Sequence, residues 1–372
     1  MPNFPQIQIK TTIMKQELQT GNRYRHSDLT GLAASLLSKA GLDDACSRVV
    51  ADTLAEAELL GHRTHGLALL PVYLQEIESG NMAKSGMPQT VNDLGATVTW
   101  DGNYLPGPWL MQQAIQLATE RLREHAVVTV VIRKSHHIAC LAAYLEATAR
   151  KGFLILLSCS DPMNKTVAPY GGVEPVYSPN PIAAGIPGEG DPILFDISTS
   201  TTANGLVVQR HNEGRPLPHP WLMDRQGHVT DDPAAFFDDP PASILPLGGL
   251  DTGYKGFALG LLVEALTNGL SGYGRKDEPA RWGASVFLQL IDPEAFGGTD
   301  HFKKEMRGLM RSCMAAEAIP GGPPVRLPGQ KALALKKEQS EHGILLQDGV
   351  ALALTDCARR YGLEMPEKTT AA

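Results

Sequence analysis

Residues 127–161 read VVTVVIRKSHHIACLAAYLEATARKGFLILLSCSD, and this stretch decides the fold class. Two short runs rich in apolar and β-branched residues, 127–132 and 153–158, flank a segment whose apolar residues recur with helical spacing. Parallel strands need a crossover connection of about a dozen residues or more, usually a helix, and this segment has that length. The stretch therefore predicts a βαβ unit.

The same alternation of strand-like and helical patterns occurs on both sides of this stretch. Runs of strand-forming residues occur at 97–100 and 285–291, and a helical period occupies 109–125, where Pro108 falls in the first turn. Strands that alternate with helices are typical of an α/β domain. We therefore predict an α/β fold.

The N-terminal part has a different, helical pattern. Leu29, Leu32 and Leu36 share one helical face, a second helix is expected at about 44–60, and helical character returns after about residue 300. The expected parts of the chain are an N-terminal extension (1–24), a helical domain (25–96 plus 300–372) and an α/β domain (97–299).

Composition narrows the classes of function. The 372 residues are 43% hydrophobic and 20% charged, as in ordinary globular proteins, and suffice for about two domains. A net charge of −7 predicts neither a nucleic-acid nor a membrane-surface partner. The five cysteines are scattered without a C-x-x-C pair, which argues against a disulfide framework or a thiolate zinc site. With no secretory signal at the start, we expect a cytoplasmic protein.

One candidate for proton transfer is His65, which lies between Thr64 and Gly66 at a predicted helix junction. A hydroxyl neighbour and a small neighbour give an imidazole a hydrogen-bond partner and space, and histidine exchanges protons near neutral pH. His62 stands three residues earlier, and two such imidazoles on one helical face could bind a metal ion, although no further ligand follows nearby. A core or solvated histidine is the plainer interpretation.

A second candidate pair, His136 and His137, follows the strand predicted at 127–132. Open α/β sheets place ligands at the carboxyl ends of their strands. Adjacent residues on a helix point about 100° apart, so we expect one of the two rings to face a pocket and the other to lie at the surface. Asp161 ends the next predicted strand at the same edge, and a turn-forming Asp-Pro explains it equally well.

No G-x-G-x-x-G motif follows any predicted strand, so a standard Rossmann fingerprint is absent. The stretch Gly248–Lys255 has P-loop-like glycine spacing, but Tyr254 precedes the lysine and Gly256 stands where that motif has Ser or Thr. We therefore reject a nucleoside triphosphatase. A glycine-rich helix start with Lys255 is a suitable anion site, or simply a turn.

Taken together, these segments resemble the type 2 malate/L-lactate dehydrogenase family over about residues 27–350. The motifs that carry the resemblance are Thr64-His65-Gly66, Ser135-His136-His137, Val167 to Gly172, Ser178 to Ile182, Leu194 to Ser200, Gly253 to Phe257 and Val325 to Gly329. Ser160-Asp161-Pro162-Met163 is similar to the ureidoglycolate dehydrogenase branch in particular.

The resemblance implies that the α/β domain (97–299) is a non-Rossmann, NAD(P)-binding domain and that the helical domain (25–96 plus 300–372) binds substrate and forms a homodimer. The reaction that it implies is hydride transfer between NAD or NADP and a small 2-hydroxy or 2-oxo acid or a related ketone or imine. It implies a proton-transfer role for His65, with His137 as the second polar contact or an alternative acid/base. Thr64 and Asp161 are expected to orient these groups. The residues expected to touch the substrate are Tyr73 and Lys165, and those expected to touch the cofactor are Ser160, Asp196, Ile197, Ser198 and Lys255.

The sequence departs from the family at Leu69, where the family usually has an arginine that binds the substrate carboxylate. Leucine supplies no part of such a bidentate contact. The candidates for a compensating cation are Arg63, Arg133 and Lys165. Two other functions stay open at this stage: a metal-dependent hydrolase or lyase that uses His62, His65 and His137, and an inactive relative that still binds the dinucleotide.

Overall fold

A computed structural model describes residues 22–369. The helices are α1 (His26–Lys39), α2 (Asp44–Leu59), α3 (Leu70–Glu78), α4 (Gly107–Arg121), α5 (Leu145–Arg150), α6 (Asn204–Asn212), α7 (Gly249–Glu264), α8 (Thr299–Ala315), α9 (Gln330–His342) and α10 (Asp348–Arg360). The strands are β1 (Asn22–Tyr24), β2 (Gln89–Asp93), β3 (Thr97–Asp101), β4 (Val127–Ser135), β5 (Leu154–Ser160), β6 (Ile182–Ile186), β7 (Ile193–Ile197), β8 (Leu222–Met223), β9 (Val229–Thr230), β10 (Ser243–Ile244), β11 (Ala284–Ile291) and β12 (Ile344–Leu346).

The centre of the molecule is a seven-stranded sheet with the order β2-β3-β4-β11-β5-β6-β7. β3 and β4 are parallel, and every other neighbouring pair is antiparallel. The predicted α/β class is confirmed, and the topology is not that of a Rossmann sheet. The missing glycine fingerprint therefore has a structural reason.

The predicted βαβ unit is present with one strand inserted into it. β4 and β5 run in the same direction, but β11 lies between them and is antiparallel to both, with Leu288 opposite Val130 on one side and Leu157 on the other. The first five residues of β11 are buried, so both faces of the strand are covered. Such a strand is stable only in the middle of a covered sheet, which explains why the later segment occupies the centre.

A helical layer covers one side of the sheet and combines both ends of the described chain. α1, α2 and α3 pack with α9 and α10, and β1 pairs with β12 in a two-stranded sheet. Leu36, Leu54 and Leu70 are fully buried in the core of this layer. The C-terminal helices thus pack beside the N-terminal ones.

The boundaries of the predicted parts differ from the structure in two places. The region 25–96, predicted as helical, contains β2, which pairs with β3 and extends the central sheet. Of the predicted extension 1–24, residues 1–21 lie outside the described residues and the last three form β1. Both segments are strands because they pair with another strand, β3 for β2 and β12 for β1, and local sequence pattern does not reveal such a partner.

The proline-rich stretch 211–243 forms a small subdomain around the three-stranded sheet β10-β8-β9. Leu217, Leu222 and Ile244 are buried in a separate apolar cluster there. No helix within residues 22–369 is both long and apolar enough to cross a lipid bilayer.

Candidate active site

A cleft of about 460 Å³ opens between the helical layer and the edge of the central sheet. Its walls include the ends of β4, β5 and β7, the start of α6, and the segment that precedes β11. The cleft therefore lies at the carboxyl ends of strands, where the sequence predicts ligand binding. The histidine segment after α2 closes it from the helical side.

His65 lies in a short 3-10 turn after α2 and lines the cleft. The hydroxyl oxygen of Thr64 is 3.0 Å from Nδ1 of His65, so the expected contact between these residues is present. Below the turn, the Glu58 carboxylate accepts a hydrogen bond of 2.9 Å from the Leu67 N–H. A Cβ atom at Gly66 would lie 2.5 Å from Oε1 of Glu58, so this close approach requires glycine.

Opposing influences act on the His65 side chain. Burial is the largest and lowers the pKa of His65, while the nearby Asp196 carboxylate raises it and His62 lowers it. His65 is therefore mainly neutral near pH 7, with an anion close enough to stabilise its protonated form. Beneath it, burial raises the pKa of Glu58 from 4.5 to about 7.

His137 faces His65 from the end of β4. The hydroxyl of Tyr73, which is fully buried on α3, lies 2.8 Å from Nδ1 of His137, and the Ala139 N–H donates to the same nitrogen at 3.3 Å. Because Nδ1 accepts a hydrogen bond from a backbone N–H, the neutral ring carries its proton on Nε2. Burial holds the pKa of His137 well below its usual range.

Aromatic contacts fix the orientation of the His137 ring. It stacks on Trp282 with the ring centroids 4.6 Å apart and on His65 with the centroids 5.8 Å apart. The structure thus brings together three residues that are distant in sequence. Trp282 was not singled out from the sequence, where a lone tryptophan before a strand carries no site-specific signal.

One histidine of the pair was expected to lie at the surface, but His136 does not. Its side chain is fully buried behind the cleft, with Nε2 3.2 Å from Oε2 of Glu76. The residues after β4 are not helical, so the helical geometry used for the expectation does not apply here. His137 faces the cleft while His136 faces the core.

Asp161 also lines the cleft, at the end of β5. Its carboxylate accepts hydrogen bonds from the Met163 and Asn164 backbone N–H groups and from the Asn164 side chain. Its described hydrogen bonds therefore close a turn and do not reach either histidine. Burial raises the pKa of Asp161. The expected orienting contact is present for Thr64 and not for Asp161.

Ser160 lies beneath the cleft floor rather than on it. Its hydroxyl donates to Oε1 of Glu264 at 2.8 Å, and Arg275 donates to the same carboxylate oxygen at 2.7 Å. Arg275 also donates to the carbonyl oxygen of Asn164 at 2.6 Å. This partly buried ion pair ties the turn after Asp161 to the end of α7.

Two of the remaining predicted cofactor residues line the cleft. Asp196 accepts a hydrogen bond of 3.0 Å from the Ala142 N–H, and the Ser198 hydroxyl donates to the Ser200 carbonyl oxygen. Ile197, between them, points outward and is 47% exposed. Alternation along β7 and its continuation separates these neighbours.

The predicted lysines lie outside the cleft. Lys165 is exposed in the turn after Asp161, and Lys255 is exposed on α7, with its Nζ 5.8 Å from the centre of the Tyr254 ring. Neither belongs to the cleft wall. The local sequence of a glycine-rich helix start gives no information about the side of the fold that the helix faces.

Leu69 does line the cleft, and within residues 22–369 no arginine or lysine side chain does so. Arg133, one expected substitute, pairs with Asp101 at 3.0 Å on another part of the sheet, and Arg63 is not part of the cleft wall. Among the described residues, the cleft wall therefore contains no lysine or arginine that could replace the arginine expected at position 69.

Sequence reasoning missed the start of α6. Ala203, Asn204 and Gly205 line the cleft, and Oδ1 of Asn204 is buried without a hydrogen-bond partner. The first N–H groups of a helix have no partner within the helix and attract anions. An Ala-Asn-Gly start without a capping side chain is a weak sequence signal, which is why only the structure reveals it.

Comparison with known proteins gives consistent matches over most of the chain. The sequence model described as malate/L-lactate dehydrogenase matches residues 24–355. The (2R)-3-sulfolactate dehydrogenase (NADP(+)) of Chromohalobacter salexigens is 32% identical, with 83% of this chain and 90% of the relative covered. The Δ1-pyrroline-2-carboxylate/Δ1-piperideine-2-carboxylate reductase of Pseudomonas syringae pv. tomato is 34% identical, with coverages of 80% and 85%.

Solved structures agree with the sequence comparison. A putative malate/lactate dehydrogenase from E. coli superposes with a TM-score of 0.84 at 28% identity, covering 93% of this chain and 97% of that one. The similarity therefore includes the central sheet, the helical layer and the cleft between them.

Proposed function

The chain belongs to the malate/L-lactate dehydrogenase family and is an oxidoreductase, and we propose that it interconverts a small 2-hydroxy and 2-oxo compound, or a related amine and imine, with NAD or NADP. The observation that carries this proposal is the pair of stacked histidines, His65 and His137, that line the cleft. When bound, the nicotinamide dinucleotide supplies the hydride or accepts it.

His65 is the residue that we assign to proton exchange with the substrate oxygen or nitrogen. Asp196 stabilises its imidazolium form, whereas burial favours the neutral form, so both protonation states are accessible during turnover. The Thr64 hydroxyl at Nδ1 holds the ring, which leaves Nε2 as the nitrogen that moves the proton.

His137 is assigned a different role, because its ring is fixed in one neutral tautomer. The Ala139 N–H occupies the Nδ1 side, so Nε2–H is a hydrogen-bond donor. A donor aimed at a substrate oxygen stabilises the negative charge that develops there. The stacking of Trp282 on this ring and the Tyr73 hydroxyl preset its position before substrate binds.

The cleft also has groups suited to a dinucleotide. The partnerless Oδ1 of Asn204 is a buried acceptor that needs a donor such as a carboxamide or a ribose hydroxyl. The free N–H groups at the start of α6 suit a phosphate. Asp196 and Ser198 line the cleft and remain proposed cofactor contacts, whereas Ser160 would act from beneath by supporting the floor.

Substrate preference follows from Leu69. With an apolar side chain here and no lysine or arginine on the wall formed by the described residues, the cleft lacks the usual strong partner for a carboxylate. We propose that the preferred substrate presents an uncharged group to Leu69. Substrates with an additional carboxylate at that end should bind more weakly.

Fluorescence titration of the purified protein with NADH and NADPH tests the proposal. We expect saturable binding of at least one of them, followed by turnover with members of a panel of 2-oxo acids, ketones and cyclic imines. Failure to bind either dinucleotide would contradict the proposal. Binding without turnover over the whole panel would instead indicate a relative that has lost its chemistry.

A homodimer is proposed as the assembly, in line with the family resemblance. α7 and the residues around it expose large apolar side chains: Leu250, Tyr254, Leu261, Leu262 and Leu270 are each about half exposed. Exposed apolar surface of this extent is typical of an interface between subunits. Sedimentation equilibrium should give the mass of a dimer, and Leu261→Glu should shift it towards the monomer.

A further inference from the structure

Three potential metal ligands meet on the cleft wall beside the histidine pair. His62, Cys140 and Asp196 place an imidazole nitrogen, a thiol sulfur and a carboxylate oxygen within 4.8 Å of one another. Each comes from a different segment. His62 lies between α2 and the 3-10 turn that follows it, Cys140 precedes the turn that leads into α5, and Asp196 is on β7. Within residues 22–369, His62, Cys140 and Asp196 are the one group of potential ligands close enough together to bind a single ion. His62, His65 and His137 do not form such a group.

We propose that this trio binds Zn²⁺ or a similar thiophilic divalent cation, with the fourth coordination position open to the cleft. Zinc accepts imidazole, thiolate and carboxylate ligands, and catalytic zinc sites have three protein ligands with the fourth position open to water or substrate. Among the described residues, no group of three or more carboxylates comes together here that would instead suit Mg²⁺ or Ca²⁺.

The geometry allows the ion with small adjustments. With Zn–S of about 2.3 Å and Zn–N of about 2.1 Å, a tetrahedral ion requires ligand separations of about 3.6 Å. The three ligand atoms of this trio already lie within 4.8 Å of one another. His62 is only partly buried, so its ring can rotate inward. The other two ligands are already close, with Sγ of Cys140 3.6 Å from Oδ2 of Asp196.

The surroundings hold two of the ligands in place before an ion arrives. The Ala142 N–H donates to Oδ2 of Asp196 at 3.0 Å, and Cys140 is 2% exposed. Binding breaks the S–H bond of Cys140 and releases its proton to solvent, and the thiolate then ligates the ion without any change of oxidation state.

An ion at this site would lie beside His65 and engage Asp196, which is also a proposed cofactor contact. Zinc and the dinucleotide should therefore compete. The zinc site itself does not depend on the proposed dehydrogenase activity, because it rests on the three ligands alone.

The test uses the full-length protein without an affinity tag and with metal removed by a chelator. Calorimetric titration with Zn²⁺ should show one ion bound per chain. His62→Ala and Cys140→Ser should each lower the affinity at least tenfold, whereas Cys159→Ser, at another cysteine of the same cleft, should leave it unchanged.

Titration with Co²⁺ gives a second, optical readout. A near-ultraviolet thiolate-to-cobalt charge-transfer band should appear in the wild-type protein and in Cys159→Ser, and should be missing from Cys140→Ser. Melting curves recorded in chelator show that each variant is folded, with Cys140→Ala as the substitute if Cys140→Ser is not. Absence of stoichiometric binding, affinities unchanged by both ligand variants, or no thiolate band in the wild type would each overturn the proposal.

Discussion

The imidazole rings of His65 and His137 stack with their centroids 5.8 Å apart and an angle of 25° between their planes. One ring comes from the helical layer and the other from the end of a sheet strand, so the pair forms only when the two layers pack. Their environments differ: Asp196 acts on His65, while backbone and tyrosine groups fix His137. This difference is the basis for assigning them separate roles.

Replacement of each histidine should separate those roles. We expect His65→Asn to lower kcat by about 10²- to 10⁴-fold, the usual contribution of a positioned acid/base, with dinucleotide affinity retained. His137→Asn should lower kcat by about 10²- to 10³-fold through loss of a hydrogen-bond donor. Steady-state kinetics measure both effects, with His228→Asn, at an exposed imidazole, as the control. Full turnover by His65→Asn would show that His65 is not the residue that exchanges the proton.

Leu69→Arg should change substrate preference. An arginine in the cleft restores a charge-assisted partner for a carboxylate, so we expect KM for 2-oxo acids to fall by about tenfold or more. KM for the matching uncharged ketones should not fall, and Leu69→Met should behave like the wild type because it keeps an apolar side chain of similar volume. Comparing kcat/KM over such acid and ketone pairs measures the effect. An equal gain for both would argue against a carboxylate contact at this position.

The buried Glu58 should make stability depend on pH. Its pKa is raised from 4.5 to about 7, so its favourable contribution is fully present below pH 4.5 and is lost as pH rises through 7. The difference corresponds to about 3 kcal/mol. Glu58→Gln keeps an acceptor for the Leu67 N–H but cannot ionise, so its unfolding free energy should fall less between pH 5 and about pH 8 than that of the wild type. Parallel profiles from chemical denaturation would show that Glu58 does not titrate in this range.

The Arg275–Glu264 pair should be important for stability. Its side chains are 17% and 20% exposed, and Arg275 also holds the backbone near Asp161. Arg275→Met leaves a largely buried carboxylate without its partner, and we expect a loss of about 3 kcal/mol in urea denaturation. Arg359→Met, which breaks an exposed pair, should cost less than about 1 kcal/mol. Similar costs for the two variants would contradict this view of the network.

The amino-acid sequence by itself determined the features that depend on local pattern. The alternation of short apolar runs with helical periods predicted the α/β class, and the helices and strands that were predicted form close to the expected positions. Motifs such as Thr64-His65-Gly66, together with the position of His137 after a strand, marked residues that line the cleft. These features follow from side-chain periodicity and turn chemistry, which act between near neighbours in the chain.

Only the tertiary structure decided the features that depend on contacts between distant segments. The insertion of β11 between β4 and β5, the exposed positions of Lys165 and Lys255, and the meeting of Cys140 with Asp196 have no local signal. A strand takes the central place because both of its faces need to be covered, and a side chain faces the cleft or the solvent according to what packs behind it. Both outcomes depend on the burial of surfaces that distant parts of the chain provide.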